Sequence, residues 1–318
     1  MKAAYIKQVG GEIFYGDLPV PKLAPNEVQL KVEACAVNYV DTFVKSGGYQ
    51  TELTFPFILG RDAVGIVEQV GSNVENFTVG QRVWTNSMGH AGRNGVIAET
   101  INVPQNRLFA APAKVDPIFL AASVHSAATA AIILRQVMKL KPQQTLLVEG
   151  AAGHVGSKLV ELAATMGARV FTTANPRDFA RLKKLGAAAC YDYHGDLLQQ
   201  LPATDFTCDH AIDTSGRVSL QTNLKLLGEK GTVTLITAPP EDRFQFAVRD
   251  FYTQSQTIAG FVISQASLTE IQQAGMVLNE QFVAGRLLEE KASVHSFAET
   301  SWAYENIGQV TEKIVLVP

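Results

Sequence analysis

Gln144-Thr145-Leu146-Leu147-Val148-Glu149-Gly150-Ala151-Ala152-Gly153-His154-Val155-Gly156 is the stretch that decides the fold. An apolar run breaks into a turn with glycine at 150, 153 and 156. A helical pattern follows, with Leu159, Leu162, Ala163 and Met166 on one side. Strand, glycine turn and helix in this order form the motif that holds a dinucleotide pyrophosphate. Glycine lets the backbone approach the phosphates, and the helix N-terminus offers N–H groups and partial positive charge. The spacing, G-x-x-G-x-x-G, is looser than the usual fingerprint, so the flanking sequence has to agree with it.

It does agree. Strands are predicted at 146–148, 169–173, 190–193, 208–213, 231–236 and 257–261, and helices at 157–166, 178–185 and 220–227. Such alternation predicts a parallel, doubly wound sheet with helices on both faces. Before residue 120 the texture is different. Residues 27–34 alternate polar and apolar as a half-buried strand does, 63–71 and 80–84 read as further strands, and Pro and Gly punctuate the connections. An Ala-rich helix is predicted over 121–138. Beyond 265 come a helix over 268–284 and a closing strand, 313–317, that is expected to return to the first domain.

The 318 residues suffice for about two domains, and 47% apolar with 18% charged residues is the balance of a soluble protein with a large core. A formal net charge of −3 gives no push toward nucleic acid or membrane. The first residues read as a strand without a signal-peptide core. The longest apolar run, 127–134, is too short to cross a bilayer. Cys35, Cys190 and Cys208 are scattered, as reduced thiols of a cytoplasmic protein are.

Several segments together carry a family resemblance. They are Val37-Asn38-Tyr39-Val40-Asp41, Ser46-Gly47-Gly48-Tyr49, Phe55-Pro56-Phe57-Ile58-Leu59-Gly60-Arg61-Asp62-Ala63-Val64-Gly65 and Val79-Gly80-Gln81-Arg82-Val83. The series continues with the glycine turn, Leu185-Gly186-Ala187, Tyr191-Asp192-Tyr193 and Glu312-Lys313-Ile314-Val315-Leu316. In order and spacing the chain resembles the medium-chain dehydrogenase/reductase superfamily, and within it the zinc-independent quinone oxidoreductases. The resemblance implies a Rossmann dinucleotide-binding domain over 122–265. It also implies a discontinuous, GroES-like, β-rich catalytic domain over 1–121 and 266–318. Two departures stand out: His154 replaces a second glycine, and Glu161 a glutamine.

Zinc-containing relatives need thiolate and imidazole ligands. Where they carry their first Cys this chain has Asn38, and where they carry a His it has Arg61. Residues 85–105 contain no Cys, and the six histidines show no i, i+4 pairing. No metal site is expected. At the end of the second strand the sequence reads Thr172-Thr173-Ala174-Asn175-Pro176-Arg177, with a cation and no carboxylate. A carboxylate there would hold the ribose hydroxyls of NAD, whereas Arg can bind a 2′-phosphate. The cofactor expected is therefore NADPH, with Asn175 and Arg177 at its phosphate and Arg181 in reserve; the resemblance adds Tyr193, which matches a third-strand tyrosine of the quinone oxidoreductases.

The resemblance completes the cofactor set with Gly150, Ala152, Gly153, His154, Val155, Gly156, Thr214, Ser215, Ile236, Phe261, Val262 and Lys313. It places Asn38, Tyr49 and Thr129 beside the reacting groups, as hydrogen-bond donors at the substrate carbonyl. Asp41 is expected to brace its loop and Arg61 to pair with Asp62. The activity implied is metal-free hydride transfer from NADPH to a quinone. An enone or alkenal reductase acting at an activated C=C bond is the alternative, followed by a non-catalytic NADPH-binding protein. No nucleic acid or membrane partner is expected. A homodimer joined through the strand near 257–262 is.

Overall fold

A computed structural model describes residues 1–201 and 206–318. The chain divides into two compact units, Met1–His125 with Ala266–Pro318, and Ser126–Gln265.

The second unit is a six-stranded sheet. Its order across the sheet is Ala187–Asp192, Arg169–Ala174, Thr145–Glu149, Cys208–Asp213, Leu227–Leu235, Thr257–Gly260, and all neighbours are parallel. The chain enters at a central strand, winds to one edge, then returns and winds to the other. The order therefore reverses between Thr145–Glu149 and Cys208–Asp213, which makes this the doubly wound fold with its switch point at the glycine turn. Leu146, Leu147 and Val148 are all fully buried, as a strand covered on both faces requires. Register sets Glu149 level with Thr173 on one side and Asp213 on the other, and Asp213 level with Leu235. The helix His154–Thr165 begins three residues earlier than its apolar pattern, because the turn feeds directly into it.

In the first unit, strand Glu27–Ala36 is the organiser. It pairs antiparallel with Asp62–Val70, with Thr100–Pro104 and with the closing strand Lys313–Val317. Val315 lies opposite Ala36 and Leu316 opposite Cys35, so the end of the sheet is built from both ends of the sequence. A strand at Ala292–Ser296, absent from the sequence reading, extends this sheet beside Lys313–Val317. Trp84 is almost fully buried, stacked on Phe109 with ring centroids 4.3 Å apart, and donates from Nε1 to Asn279 Oδ1 at 2.9 Å. That contact needs Gly275, since a Cβ there would fall 2.0 Å from the Phe109 ring.

One expectation from the sequence needs correcting. The helix Pro117–Ile132 runs on through a π turn at Ile133–Val137, and the 21-residue span Pro117–Val137 is long and apolar enough to cross a bilayer. The apolar stretch 127–134 is only part of it, because Ser123, His125 and Ser126 break the pattern on its N-terminal side. Of its most apolar window 83% is buried inside the fold, as in the core helix of a globular protein.

Candidate functional site

The glycine turn is shaped by what a side chain would hit. Gly150 has φ +67°, in the left-handed region, and a Cβ there would meet Thr214 Oγ1 at 2.7 Å. A Cβ on Gly156 would meet the Gly150 carbonyl oxygen at 2.5 Å and Ala151 Cα at 2.8 Å. Gly153, extended at φ −71° and ψ 172°, is the N-cap of His154–Thr165 and has no side chain with which to cap it. The first helical amides therefore have no side-chain cap, at the positive end of the helix. His154 takes ordinary helical geometry, so the missing second glycine costs the turn nothing.

Side chains pin this turn from below. The Thr214 hydroxyl donates to the carbonyls of Glu149 at 2.9 Å and Gly150 at 3.1 Å. Arg181 Nη2 donates to Ala152 O at 2.6 Å. The Ser215 N–H and hydroxyl both donate to Asp213 Oδ1, at 2.7 and 2.6 Å. Glu149 was read only as part of a strand. It is fully buried, and burial pushes its carboxyl up to about 8, with Asn223 opposing and the Asp213 charge adding to the rise.

Asn175, Arg177 and Tyr193 follow adjacent strands. Tyr193 donates its N–H to Ala174 O, and Asn175 Oδ1 accepts from the Arg177 N–H at 3.1 Å. The Arg177 side chain is 76% exposed, with Nε 3.8 Å from Asp178 Oδ2, and Tyr193 lies over His194 at 4.2 Å. Ile236 follows Leu227–Leu235, and the Phe261 N–H donates to Leu235 O at 3.0 Å, with Val262 next. These residues and the glycine turn gather at the carboxyl ends of the strands, where open α/β sheets take ligands. Thr129 is buried within the helix Pro117–Ile132.

The first unit holds a buried polar cluster, and here the structure adds to the sequence reading. Asn38 caps the helix Tyr39–Ser46 and donates its N–H to Asp41 Oδ2 at 2.8 Å, so Asp41 does brace the loop. The Asn38 amide is engaged at both ends: Lys313 Nζ donates to Oδ1 at 2.6 Å, and Nδ2 donates to Asp62 Oδ2 at 2.5 Å. Only 1% of Asn38 is exposed. The structure thus places Asn38 and Lys313 together inside the first unit. Arg61, fully buried, pairs through Nε with Asp41 Oδ1 at 2.9 Å. His125 Nδ1 lies 3.1 Å from Asp62 Oδ2, and the Ser87 N–H reaches Asp62 Oδ1 at 3.2 Å. Tyr49 packs, partly buried, against the core of this unit.

Electrostatics sort the members of the cluster. Burial alone would raise the Asp62 carboxyl, but His125, Arg61 and Lys313 outweigh it and hold the group below its ordinary value. Burial raises Asp41, with Arg61 opposing. Burial also drives the Cys35 thiol and the Tyr304 phenol well up, so both stay neutral. His125 escaped the sequence reading. Its one signal is a lone imidazole in an Ala-rich helix, one turn before Thr129.

A catalytic zinc would need three protein ligands and an open position. The donor set does not fit one: Asn38, Arg61 and Lys313 occupy the cluster, Asp62 and His125 are turned to each other, and no three of His, Cys, Asp or Glu gather among the described residues.

Two family models match the chain, the alcohol dehydrogenase GroES-like domain over residues 24–113 and the zinc-binding dehydrogenase domain over 155–278. A quinone oxidoreductase of Sus scrofa is 28% identical over 294 residues, covering 91% of this chain and 87% of the relative. A trans-enoyl reductase of Aspergillus flavipes is 32% identical over 214 residues, 63% of this chain and 62% of its own. Among solved structures, the quinone oxidoreductase of Coxiella burnetii superposes with TM-score 0.79 at 25% identity, over 100% of this chain and 99% of that one. The Escherichia coli quinone oxidoreductase complexed with NADPH superposes over the whole of both chains with TM-score 0.83 at 21% identity, a likeness of fold. With a GroES-like unit and a doubly wound unit each matched, and quinone oxidoreductases among its relatives, the chain belongs to the medium-chain dehydrogenase/reductase superfamily.

Proposed function

We propose that this protein is an NADPH-dependent reductase of quinones that works without a metal. The observation that carries the reading is the first unit's polar cluster. Arg61 and Lys313 put positive charge among Asp41 and Asp62, where a dehydrogenase acting on simple alcohols needs a Lewis acid. A quinone needs none, because its reduced form is an aromatic hydroquinone. The quinone oxidoreductases among the relatives support the same substrate class.

Bound NADPH would supply the hydride. The chain's part is to hold and orient. The amides of Gly153, His154, Val155 and Gly156 and the backbone of Gly150 and Ala152 would take the pyrophosphate. Asn175, Arg177 and Tyr193 would take the 2′-phosphate, and Thr214, Ser215, Ile236, Phe261 and Val262 would line the nucleoside and nicotinamide. Tyr49 and Thr129 would donate to the substrate carbonyl. Asn38, held by Lys313 at Oδ1 and bonded through Nδ2 to Asp62, would be a further donor there.

Purified protein should oxidise NADPH with a benzoquinone panel, should prefer NADPH to NADH, and should contain no stoichiometric zinc. Turnover confined to enones would favour the second reading, an activated C=C reductase, which the likeness to a trans-enoyl reductase motivates. The strand Thr257–Gly260 lies at an edge of its sheet and would join a homodimer. Light scattering showing a monomer at micromolar concentration would end that part of the proposal.

A further inference from the structure

We propose that Glu149 is a proton switch under the glycine turn: the turn takes an anionic nucleotide while this carboxyl is protonated and gives it up as the carboxyl ionises. The inference rests on the reading above, that a dinucleotide pyrophosphate binds at 150–156. Glu149 closes the strand Thr145–Glu149 and stands immediately before Gly150. Its main chain is already part of the turn, since its carbonyl accepts from the Thr214 N–H at 3.0 Å and from the Thr214 hydroxyl at 2.9 Å. All of these groups belong to the second unit.

The side chain sits where a charge has no support. Glu149 is 0% exposed, and neither carboxyl oxygen has a hydrogen-bond partner among the described residues. An ionised carboxylate buried in that way is costly, and a neutral one far less so. Asn223, from the helix Leu220–Leu226, favours the charged form but only partly offsets burial, which holds the carboxyl up at about 8. The Asn223 Oδ1 is itself buried without a donor, and the O–H of a protonated Glu149 brings one to that side.

The surrounding charge has one sign. Asp213, level with Glu149 on the next strand, adds its negative charge to the rise, and its own oxygens are taken by Ser215 and by the Val218 N–H at 3.0 Å. Cys208 on the same strand is kept neutral by burial, its thiol pushed up to about 12. Burial also raises the Tyr191 phenol, which lies level with Thr173 on the other side. No Lys or Arg acts on Glu149 among the described residues. A pyrophosphate at the turn adds further negative charge beside this set, and so favours the protonated carboxyl. By linkage the ionised carboxyl disfavours the nucleotide by the same factor. Affinity is then full well below pH 8 and declines as pH rises past it.

Three measurements test the switch. In nucleotide-free protein, carbon-13 NMR of the Glu149 carboxyl should show it titrating near pH 8. The dissociation constant for NADPH, read by fluorescence, should rise on the order of tenfold between pH 7 and pH 9.5 in wild type and stay nearly flat in Glu149→Gln. Other groups near the turn, His154 among them, titrate alike in both proteins, so the difference between the two curves belongs to Glu149. Calorimetry at pH 8 in phosphate and in Tris should show wild type taking up roughly 0.4 proton per NADPH, the step from half to nine-tenths protonated that a tenfold linkage requires, and Glu149→Gln taking up none. A Glu149→Gln variant that loses NADPH with rising pH as wild type does, or a carboxyl that titrates below pH 6, overturns the proposal. Should Glu149→Gln fail to fold, wild-type proton uptake decides it, and its absence counts as refutation. Wild-type protein that binds NADPH at no pH would instead sink the reading of a nucleotide at this turn.

Discussion

The second unit's glycine turn and the first unit's polar cluster are built by opposite means. The turn works by subtraction: a Cβ at 150 would meet Thr214 Oγ1 and one at 156 the Gly150 carbonyl, so glycine lets strand, turn and helix close on one another. The cluster works by addition. Asn38, Asp41, Arg61, Asp62, His125 and Lys313 are packed together so that each buried charge has its partner within the protein. The first leaves its leading helical amides without a side-chain cap, whereas the second pairs its charges internally. They should therefore fail differently when cut.

The largest loss is expected where a buried charge is orphaned. Arg61→Met leaves the Asp41 carboxylate without its guanidinium and should cost about 3–5 kcal/mol in urea unfolding at pH 7. The loss should shrink as pH falls and Asp41 takes up a proton. Asp41→Asn in the same background should recover part of it, and a double variant no better than the single one would break the comparison. Next comes Gly156→Val. Its Cβ would sit 2.5 Å from the Gly150 carbonyl, and the strain should cost about 1–3 kcal/mol and weaken NADPH by tenfold or more in calorimetry.

Glu149 sharpens the contrast from inside the second unit. Its carboxyl is pushed up to about 8 in the folded protein, against 4.5 for an ordinary Glu. The unfolded chain therefore loses its proton first as pH rises. The stability this group contributes is full below about pH 4.5 and is lost as pH climbs toward 8. Glu149→Gln should accordingly gain on wild type by roughly 1–3 kcal/mol between pH 5 and pH 8, as read by urea melts. Parallel curves for the two proteins would refute this protonation state. The smallest effect is expected at the surface. Arg177→Ser should weaken NADPH by about three- to tenfold and leave NADH unchanged, because a well-exposed guanidinium has water competing for its phosphate. Equal losses for both nucleotides would remove Arg177 from the phosphate site.

The same contrast explains what could be read in the sequence. A turn that needs glycine for backbone clearance writes that need into neighbouring positions. The apolar strands around it repeat the message, so the strands and longer helices of the doubly wound unit are legible, while the short helices Leu197–Gln200 and Val248–Thr253 are not. The cluster has no local spelling. Asn38 and Lys313 look like a turn residue and a surface lysine until the sheet brings them together across 275 positions. His125 sits in an Ala-rich helix with no neighbouring motif to mark it, and Glu149 reads as one more strand residue. The full apolar span of Pro117–Val137 is hidden for a related reason: small polar residues interrupt an apolar count without interrupting a helix.

The seam between Glu27–Ala36 and Lys313–Val317 also has a consequence for the newborn polypeptide. The stretch 126–265 contains every strand of its own sheet and can collapse as soon as it leaves the ribosome. The sheet begun near residue 27 must wait for a partner that follows the whole of 126–265, with a long loop to close before that pairing repays its entropy. Synthesis order therefore favours a glycine turn that matures first, while the charged knot that depends on Lys313 is tied afterwards.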